Sequence, residues 1–472
     1  MRHKEIYQTA EHRLSGFARE MVYDQIPEDA VKVVKHILLA VAGTAVAGAA
    51  EQGCGPLREM LLDRGGKPEA TVLIYGDKLP APSAALINGV MCRALDFCDA
   101  MAPGVHIGSS LIPAALAAAE IRGGCHGKEF LAALTVGAEI GSRLNLTEED
   151  RKGFDPTGVA GVFAATAAAA RILELDADQM RNALALAFNR CGGSFQSNVD
   201  GSLAVRMIQG WVAESAVTCA LLAKKGLTGP SRFLTGVYGY LHLFARGKVN
   251  EADLLNGLGK DYLLHKTVFK KYPSCGLTQG VTELALQAAS GLKPEPDLID
   301  SVEVRLPPYA HRLVGHNFDI GDNPRVNAQF SAQFCVANAF AKKASTLADF
   351  REEVVRALEF EALIRRIKVV SDPNLNSRGH TAVDLTIVMT DGQRHSSRLD
   401  IAPGFPGNPL TDAGHFSRFA QCMAYAQIPL PRHQSERLSD TINTLETLKD
   451  VRSLVDLMVN PDVHKTDRRQ II

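Results

Sequence analysis

The sequence predicts a mainly α-helical protein with an α+β block in its second half. From the start to about residue 265, apolar residues recur at helical spacing, and no alternating strand pattern is convincing. Between about residues 266 and 403, segments rich in β-branched residues alternate with helical stretches. After the proline-rich stretch 403–409 the helical pattern returns.

Composition limits the classes of function. The chain of 472 residues is long enough for about two or three domains. Its net charge of −1 gives no indication of binding to nucleic acid or to an anionic membrane. With one Trp and 6% aromatic residues, the core is expected to consist mainly of Ala, Leu, Val and Ile. Abundant Gly and Ala in the helical stretches indicate closely packed helices.

Cysteine usage and the apolar runs indicate the compartment. The nine Cys include no C-x-x-C pair, so neither a zinc site nor a disulfide framework is predicted. No signal peptide is visible, which makes a reducing cytoplasm the expectation. The apolar runs 37–50 and 158–170 are short and rich in Gly and Ala. We therefore expect buried helices there and no membrane span.

The predicted elements follow from these patterns. In the first part, helices are predicted at 28–50, from Ala84 onwards, at 127–143, 154–170 and 178–187, and up to Gly226. In the α+β block, strands are predicted at 301–307, 367–370 and 382–389, with a hairpin at Asp391-Gly392, and helices at 275–290, 328–342 and 349–358.

One stretch, residues 88–120, concentrates side chains that are able to do chemistry. Asp96 and Asp99 are three apart and would share one face if they lay on a helix. His106 follows a Pro-Gly break and is expected on a loop. Ser109 and Ser110 precede an apolar run and are candidate N-caps. A helix N-terminus beside these groups would suit a carboxylate, although a solvated acidic face, a structural His and a simple cap are the commonplace interpretations.

Further clusters lie downstream. Asp155 belongs to the polar turn GFDPTG, and Arg206 follows the loop Asp200-Gly201-Ser202, where its planar guanidinium is suited to a carboxylate. Lys270 and Lys271 precede Cys275, which is predicted at a helix N-terminus. That thiol is either activated by the neighbouring positive charges or buried and inert. A Mg²⁺ site on Asp96 and Asp99 is disfavoured, because the sequence offers no second acidic cluster.

Taken together, the motifs resemble those of the MmgE/PrpD family. They occur in the order NG…LDFxD…H…S…PAALAAAE, GFxPTG, DGS…R…G, LTGP, KxYPSC, AQFS and GxNPL, over about residues 20–420. The family includes 2-methylcitrate dehydratase, cis-aconitate decarboxylase and iminodisuccinate epimerase. The resemblance implies a large all-helical domain built from both chain ends, 1–265 and 404–472, and a smaller α+β lid domain, 266–403. It also implies a homodimer with an active site between the domains that handles small polycarboxylates and needs no metal or other cofactor.

Residue by residue, the chain keeps part of the family pattern and departs from the rest. Asp96, Asp99 and His106 stand where the family has them. Departures lie at seven positions: Arg93 stands in place of a His, Cys98 of an Asp, Asp155 of a His, Val205 of a Lys, Ile208 of a His, Gln279 of a His and Phe334 of a Tyr. Val205 and Ile208 make one wall of the expected site apolar.

Three functions remain open on this evidence. The first is a lyase or isomerase that abstracts a proton next to a carboxylate of a small, less charged acid, with His106 and Asp96 or Asp155 as acid and base. The second is the family's usual dehydratase or decarboxylase activity, performed with the substituted residues. The third is a non-catalytic dimeric binding protein. For the enzymes, the candidate substrate-binding residues are Arg93, Asp99, Ser109, Arg206, Lys270, Lys271, Cys275 and Gln279.

Overall fold

A computed structural model describes residues 9–463 except 103, 148–149, 151, 201 and 293–294. The chain forms two compact units, one of residues 1–267 with 422–472 and the other of residues 268–421. The prediction of a mainly α-helical fold with a small α+β part is confirmed.

The first unit is built from helices. They are α1 (Ala10–Glu20), α2 (Glu28–Gly48), α3 (Cys54–Arg64), α4 (Ala81–Arg93), α5 (Gly108–Arg122), α6 (Gly127–Arg143), α7 (Val162–Ile172), α8 (Ala177–Phe188), α9 (Gln196–Val199), α10 (Ala204–Lys224), α11 (Tyr240–Leu243) and α12 (Glu251–Leu255). The short strands are β1 (Ala70–Thr71), β2 (Lys78–Leu79) and β3 (Asp99–Met101), of which β1 and β2 pair antiparallel.

Small residues let the central helices approach closely. A Cβ on Gly89 of α4 would lie 2.9 Å from the Gln209 carbonyl oxygen of α10, and a Cβ on Gly210 would lie 2.5 Å from that of Leu86. The two helices therefore touch backbone to backbone, as their Gly and Ala content predicted. Every residue of α5 from Gly108 to Ala119 is buried, so this helix runs through the core.

Helix α2 is long and apolar enough to cross a membrane by length and composition. Of its most apolar window, 78% is buried inside the structure. It is accordingly a core helix of this unit, which agrees with the buried helix predicted at 28–50.

The second unit contains a four-stranded sheet. Strand β4 is Thr267–Phe269, and the sheet strands are β5 (Ile299–Leu306), β6 (Ile367–Ser371), β7 (Val383–Met389) and β8 (Arg394–Leu399), in the order β6-β5-β7-β8. Strand β6 is parallel to β5, whereas β7 is antiparallel to both β5 and β8. The accompanying helices are α13 (Gln279–Gly291), α14 (Pro308–Val314), α15 (Pro324–Gln329), α16 (Ala332–Lys342), α17 (Glu352–Ala357), α18 (Glu361–Ile364) and α19 (Asp412–Tyr425).

The C-terminal helices α20 (Arg432–Asn443) and α21 (Arg452–Leu457) belong to the first unit. The backbone N–H of Gly127 donates to the Leu448 carbonyl at 2.8 Å, and that of Val451 donates to the Cys125 carbonyl at 3.0 Å. These bonds tie the chain end to the start of α6.

Candidate active site

The turn after α4 differs from the sequence prediction. Asp96 and Asp99 were expected on one helix face, which is wrong: α4 ends at Arg93, and Asp99 begins β3. Asp96 has a φ of +52°, the left-handed conformation that ends helices and that Asp tolerates better than most residues. Non-Gly residues in that conformation occur often at functional sites.

Arg93 and Asp96 form a buried ion pair across this turn. The Arg93 guanidinium donates to Asp96 Oδ1. Burial opposes the charged form of Arg93, but the negative charges of Asp96 and Asp155 and the hydrogen bond to Asp96 outweigh it, so the pKa of Arg93 lies above its usual value. Arg93 is therefore the positive charge of this cluster.

Asp99 caps α5 and positions His106. Its carboxylate accepts the Gly108 N–H, at 3.0 Å to Oδ2 and 3.2 Å to Oδ1. The N-cap expected from Ser109 or Ser110 is wrong, because both hydroxyls lie inside the helix, where Ser109 Oγ is 3.4 Å from the Cys92 carbonyl. The Asp99 backbone carbonyl lies 2.7 Å from His106 Nδ1.

His106 presents its other nitrogen to Asp96. Because Nδ1 faces a carbonyl oxygen, which only accepts hydrogen bonds, Nδ1 carries the proton in the neutral ring. Nε2 lies 3.8 Å from Asp96 Oδ1, and the two side chains remain 12% and 17% exposed. Cys98 Sγ is 3.5 Å from Nδ1, and burial raises the pKa of that thiol to about 11, so it is not a thiolate at neutral pH.

The GFDPTG turn contacts the backbone of His106. The Thr157 hydroxyl oxygen accepts the His106 backbone N–H at 3.0 Å. Asp155 is buried and accepts from the Thr157 N–H at 2.8 Å, so it caps the π-helical turn Thr157–Gly161, and its charge acts on Arg93. The structure thus brings together Arg93, Asp96, Asp99, His106 and Asp155, all in the first unit.

Comparison with known proteins gives the family. The MmgE/PrpD N-terminal domain matches residues 12–252, and the MmgE/PrpD C-terminal domain matches residues 272–445. The chain belongs to the MmgE/PrpD family. A cis-aconitate decarboxylase-like protein, oryM, of Aspergillus oryzae is 24% identical over 94% of this chain and 96% of its own. The cis-aconitate decarboxylase of Mus musculus is 25% identical over 82% of this chain and 80% of its own.

Arg206, another predicted site residue of this MmgE/PrpD chain, contacts the backbone of a neighbouring turn. It is half-buried, and its guanidinium donates to the Gln52 carbonyl at 2.6 Å, in the turn between α2 and α3. Gly201 of the preceding loop lies outside the described residues. A carboxylate-binding role for Arg206 stays a prediction.

Four predicted residues lie in the second unit. Lys271 forms an ion pair with Glu283 at 2.7 Å. The Gln279 amide accepts from the Tyr272 N–H and donates to the Tyr272 carbonyl, both at 2.9 Å, so it holds the YPSC turn together. Lys270 and Cys275 are both buried. Substrate contacts by these four residues stay predictions.

Two residues at the centre were missed by the sequence analysis. Thr157 contacts the backbone of His106, and Gln209 Nε2 in turn lies 3.1 Å from Thr157 Oγ1. The only signal for Thr157 was its place in the GFDPTG turn. Gln209 is one amide in the apolar helix α10, and its partner became visible only in three dimensions. Among the residues that the structure describes, no three His, Cys, Asp or Glu side chains are grouped as metal ligands.

Proposed function

We propose that this protein is a lyase of small organic acids in which His106 transfers a proton at the carbon next to a carboxylate. The observation that carries the proposal is the orientation of the His106 ring, with Nδ1 at a carbonyl and Nε2 towards Asp96. A ring held in this way has one defined nitrogen for proton transfer, as a general acid or base requires.

The charges around the ring support this role. When Nε2 takes up a proton, the imidazolium is stabilised by Asp96, which lies 3.8 Å away. Arg93 fixes the Asp96 carboxylate and balances its charge. The pair therefore orients the ring and lets it alternate between neutral and charged forms. A general acid or base of this type contributes roughly 10² to 10⁴ to the rate.

Decarboxylation is the reaction that the relatives favour, because those compared above are named cis-aconitate decarboxylases or proteins like them. In such a step the C–C bond to the leaving carboxylate breaks, CO₂ departs, and the electron pair is delocalised over the neighbouring C=C bond and the carboxylate attached to it. Protonated His106 then delivers its Nε2 proton to a carbon of this delocalised anion. In an isomerase the same nitrogen would first remove a proton and then return it.

Apolar residues of α10 support a substrate with few charges. Ile208 is buried beside Gly193, where an added Cβ would be 2.8 Å from Ile208 Cδ1 and 3.4 Å from Asp155 Cβ. Val205 lies one turn before it on α10 and is equally apolar. This wall supports a substrate that carries fewer charges than the tricarboxylate named for the relatives.

A panel of small acids tests the proposal. The purified protein is incubated with cis-aconitate, 2-methylcitrate and simpler 2-hydroxy and imino diacids, and products are followed by NMR. We expect turnover of at least one acid, with a fall of about 10²-fold or more for His106→Gln. His433→Gln, at an exposed position on α20, is the matched control and should keep full activity. Silence of the wild-type protein across the panel would refute the lyase and leave the binding-protein alternative.

A further inference from the structure

The amide of Gln209 is buried and incompletely bonded. Its side chain is 2% exposed, in the middle of α10, where Nε2 lies 3.1 Å from Thr157 Oγ1. Oε1 has no hydrogen-bond partner within the described part of the chain. A buried polar atom without a partner is unfavourable by about 1–3 kcal/mol, so such atoms are rare unless a ligand satisfies them.

The hydrogen bonds of Thr157 decide which end of the amide faces the threonine. Its hydroxyl oxygen already accepts the His106 N–H at 3.0 Å. If Gln209 also donates to that oxygen, the Thr157 hydroxyl hydrogen has no acceptor among the described contacts. If the amide is rotated by 180° so that Oε1 and Nε2 exchange places, Thr157 donates to Oε1, and the positions of the atoms hardly change. The network from His106 through Thr157 to Gln209 is then complete, and the Gln209 nitrogen has two N–H groups left to donate.

We propose that Gln209 binds the substrate by donating from its amide nitrogen to a carboxylate oxygen beside His106. This inference rests on the proposed function, since it assumes that the His106 centre receives a small carboxylate. The connection is short, because one hydroxyl group joins the Gln209 side chain to the backbone of His106.

The neighbouring residues explain why an amide is suitable there. Ile208 beside Gln209 on α10, like Val205 one turn earlier, offers no charge to an anion. Asp155 is buried behind the same turn and would repel a second carboxylate. A neutral donor recognises one carboxylate oxygen without adding a cation to this environment. Gln209 therefore sets a preference for acids with few charges.

Equilibrium binding of succinate, a saturated dicarboxylate that cannot be turned over by decarboxylation of an unsaturated acid, tests this inference independently of turnover. Calorimetry compares the wild-type protein with Gln209→Met. This replacement keeps the length of the side chain and removes both the carbonyl oxygen and the NH₂ group of the amide. Since a hydrogen bond to a charged group contributes about 1.5–3 kcal/mol, we expect affinity to fall roughly 10- to 100-fold. Gln209→Glu should bind even more weakly at pH 7 and recover affinity as the pH is lowered, because its acceptor-only carboxylate repels the ligand until it is protonated.

Gln434→Met is the matched control. Gln434 is another buried amide of the same unit, and it donates to the Leu457 and Val459 carbonyls. Its replacement should reduce thermal stability without changing affinity, which separates a structural effect from a binding effect.

The inference is overturned if Gln209→Met or Gln209→Glu binds succinate as tightly as the wild-type protein, or if the wild-type protein does not bind it. The two proposals fail separately. Turnover that depends on His106 but not on Gln209 would remove only the role of Gln209. Binding that depends on Gln209, with no turnover across the acid panel, would remove only the lyase.

Discussion

At the scale of single residues, Arg93 supports His106 through Asp96. The guanidinium fixes a carboxylate whose Oδ1 lies 3.8 Å from His106 Nε2. Asp96 is held in a left-handed conformation in order to reach both partners. Asp155 adds a second negative charge near the same guanidinium. Arg93 is consequently the cation on which two buried acids depend.

Arg93→Met tests this dependence. Removing the guanidinium takes the ion-pair partner from Asp96 and a nearby positive charge from Asp155, which is unfavourable for two carboxylates that are largely shielded from water. We expect kcat/KM to fall by about 10²-fold or more in a steady-state assay with whichever acid of the panel is turned over. Arg432→Met, at a fully exposed position, is the control. An Arg93→Met enzyme within about twofold of the wild type would contradict this role.

Residue identity and spacing were sufficient to select Asp96, Asp99 and His106 as one cluster, whereas Asp155 was assigned to the same site only through the family resemblance. Identity and spacing were not sufficient to assign the structural role of each residue. The Asp99 carboxylate accepts a hydrogen bond at the N-terminus of α5, and the Asp99 backbone carbonyl contacts His106. Neither contact can be inferred from residue spacing alone. Gln209 was missed because an amide on a buried helix face looks like any core position until the partner helix is known.

At the scale of elements, the N-terminus of α5 determines where His106 lies. Asp99 joins this helix end to the loop that carries the ring, since one residue binds both. Gly108 admits this carboxylate, because a Cβ there would be 2.3 Å from Asp99 Oδ1. The cap and the histidine are therefore built by the same few residues.

Replacements of Asp99 separate capping from charge. Asp99→Ala leaves the Gly108 N–H without its acceptor and should lower the free energy of unfolding by about 1–2 kcal/mol. Asp99→Asn keeps an acceptor oxygen and should lose less than the Ala variant. Urea denaturation of the three proteins provides the comparison. Equal midpoints for Asp99→Ala and the wild type would show that the cap is unimportant.

Helix α13 provides a pH-dependent contact in the second unit. Burial alone would raise the pKa of Glu283, but hydrogen bonds from Lys271 and Tyr272 outweigh it and hold the pKa below its usual value. A depressed folded-state pKa stabilises the fold above the unfolded value of about 4.5 and stops doing so as the pH falls through the folded value. Because Lys271 is 43% exposed, the contribution is about 1 kcal/mol or less.

Glu283→Gln should therefore loosen α13 at pH 7 and have little effect at acid pH. Hydrogen exchange of the α13 amides, compared between variant and wild type at pH 7 and at a pH well below 4, where folded Glu283 is also protonated, measures this. Faster exchange of the variant is expected only at pH 7. A difference of equal size at both pH values would show that the Glu283 charge is irrelevant.

The long helices were predictable because their apolar periods persist over many residues. Strands β5, β6 and β7 were predictable from alternation or β-branched residues, whereas the polar strand β8 was predictable only from the Asp391-Gly392 turn before it. The end of α4 was not, since apolar residues continue through Leu95 and Phe97 beyond its last residue, Arg93. What ends the helix is the left-handed Asp96, and that conformation depends on contacts that the sequence does not display.

At the scale of the whole molecule, the first unit depends on a distant part of the chain. The segment after residue 421 returns to it, and the Tyr425 hydroxyl donates to Glu51 at 2.7 Å. Gly127, at the start of α6, permits this return, because a Cβ there would lie 1.6 Å from the Leu445 carbonyl oxygen.

Gly127→Ala is expected to destabilise the first unit by forcing that backbone apart. Overpacking of this kind lowers the free energy of unfolding by about 1–3 kcal/mol. Gly16→Ala in α1 is the matched control, since a Cβ there meets nothing within 4 Å and should be neutral or stabilising. Thermal unfolding of both variants measures the contrast. If Gly127→Ala unfolds no earlier than Gly16→Ala, the close approach is not important for stability.

Deuterium incorporation tests the central claim, proton transfer by His106, most directly. The acid that is turned over is allowed to react in D₂O, and the product is analysed by NMR and mass spectrometry. We expect one deuterium at the carbon that changes bonding. Product and exchange should be lost together in His106→Gln, while His433→Gln behaves as the wild type does. Unchanged deuterium incorporation by folded His106→Gln would contradict it.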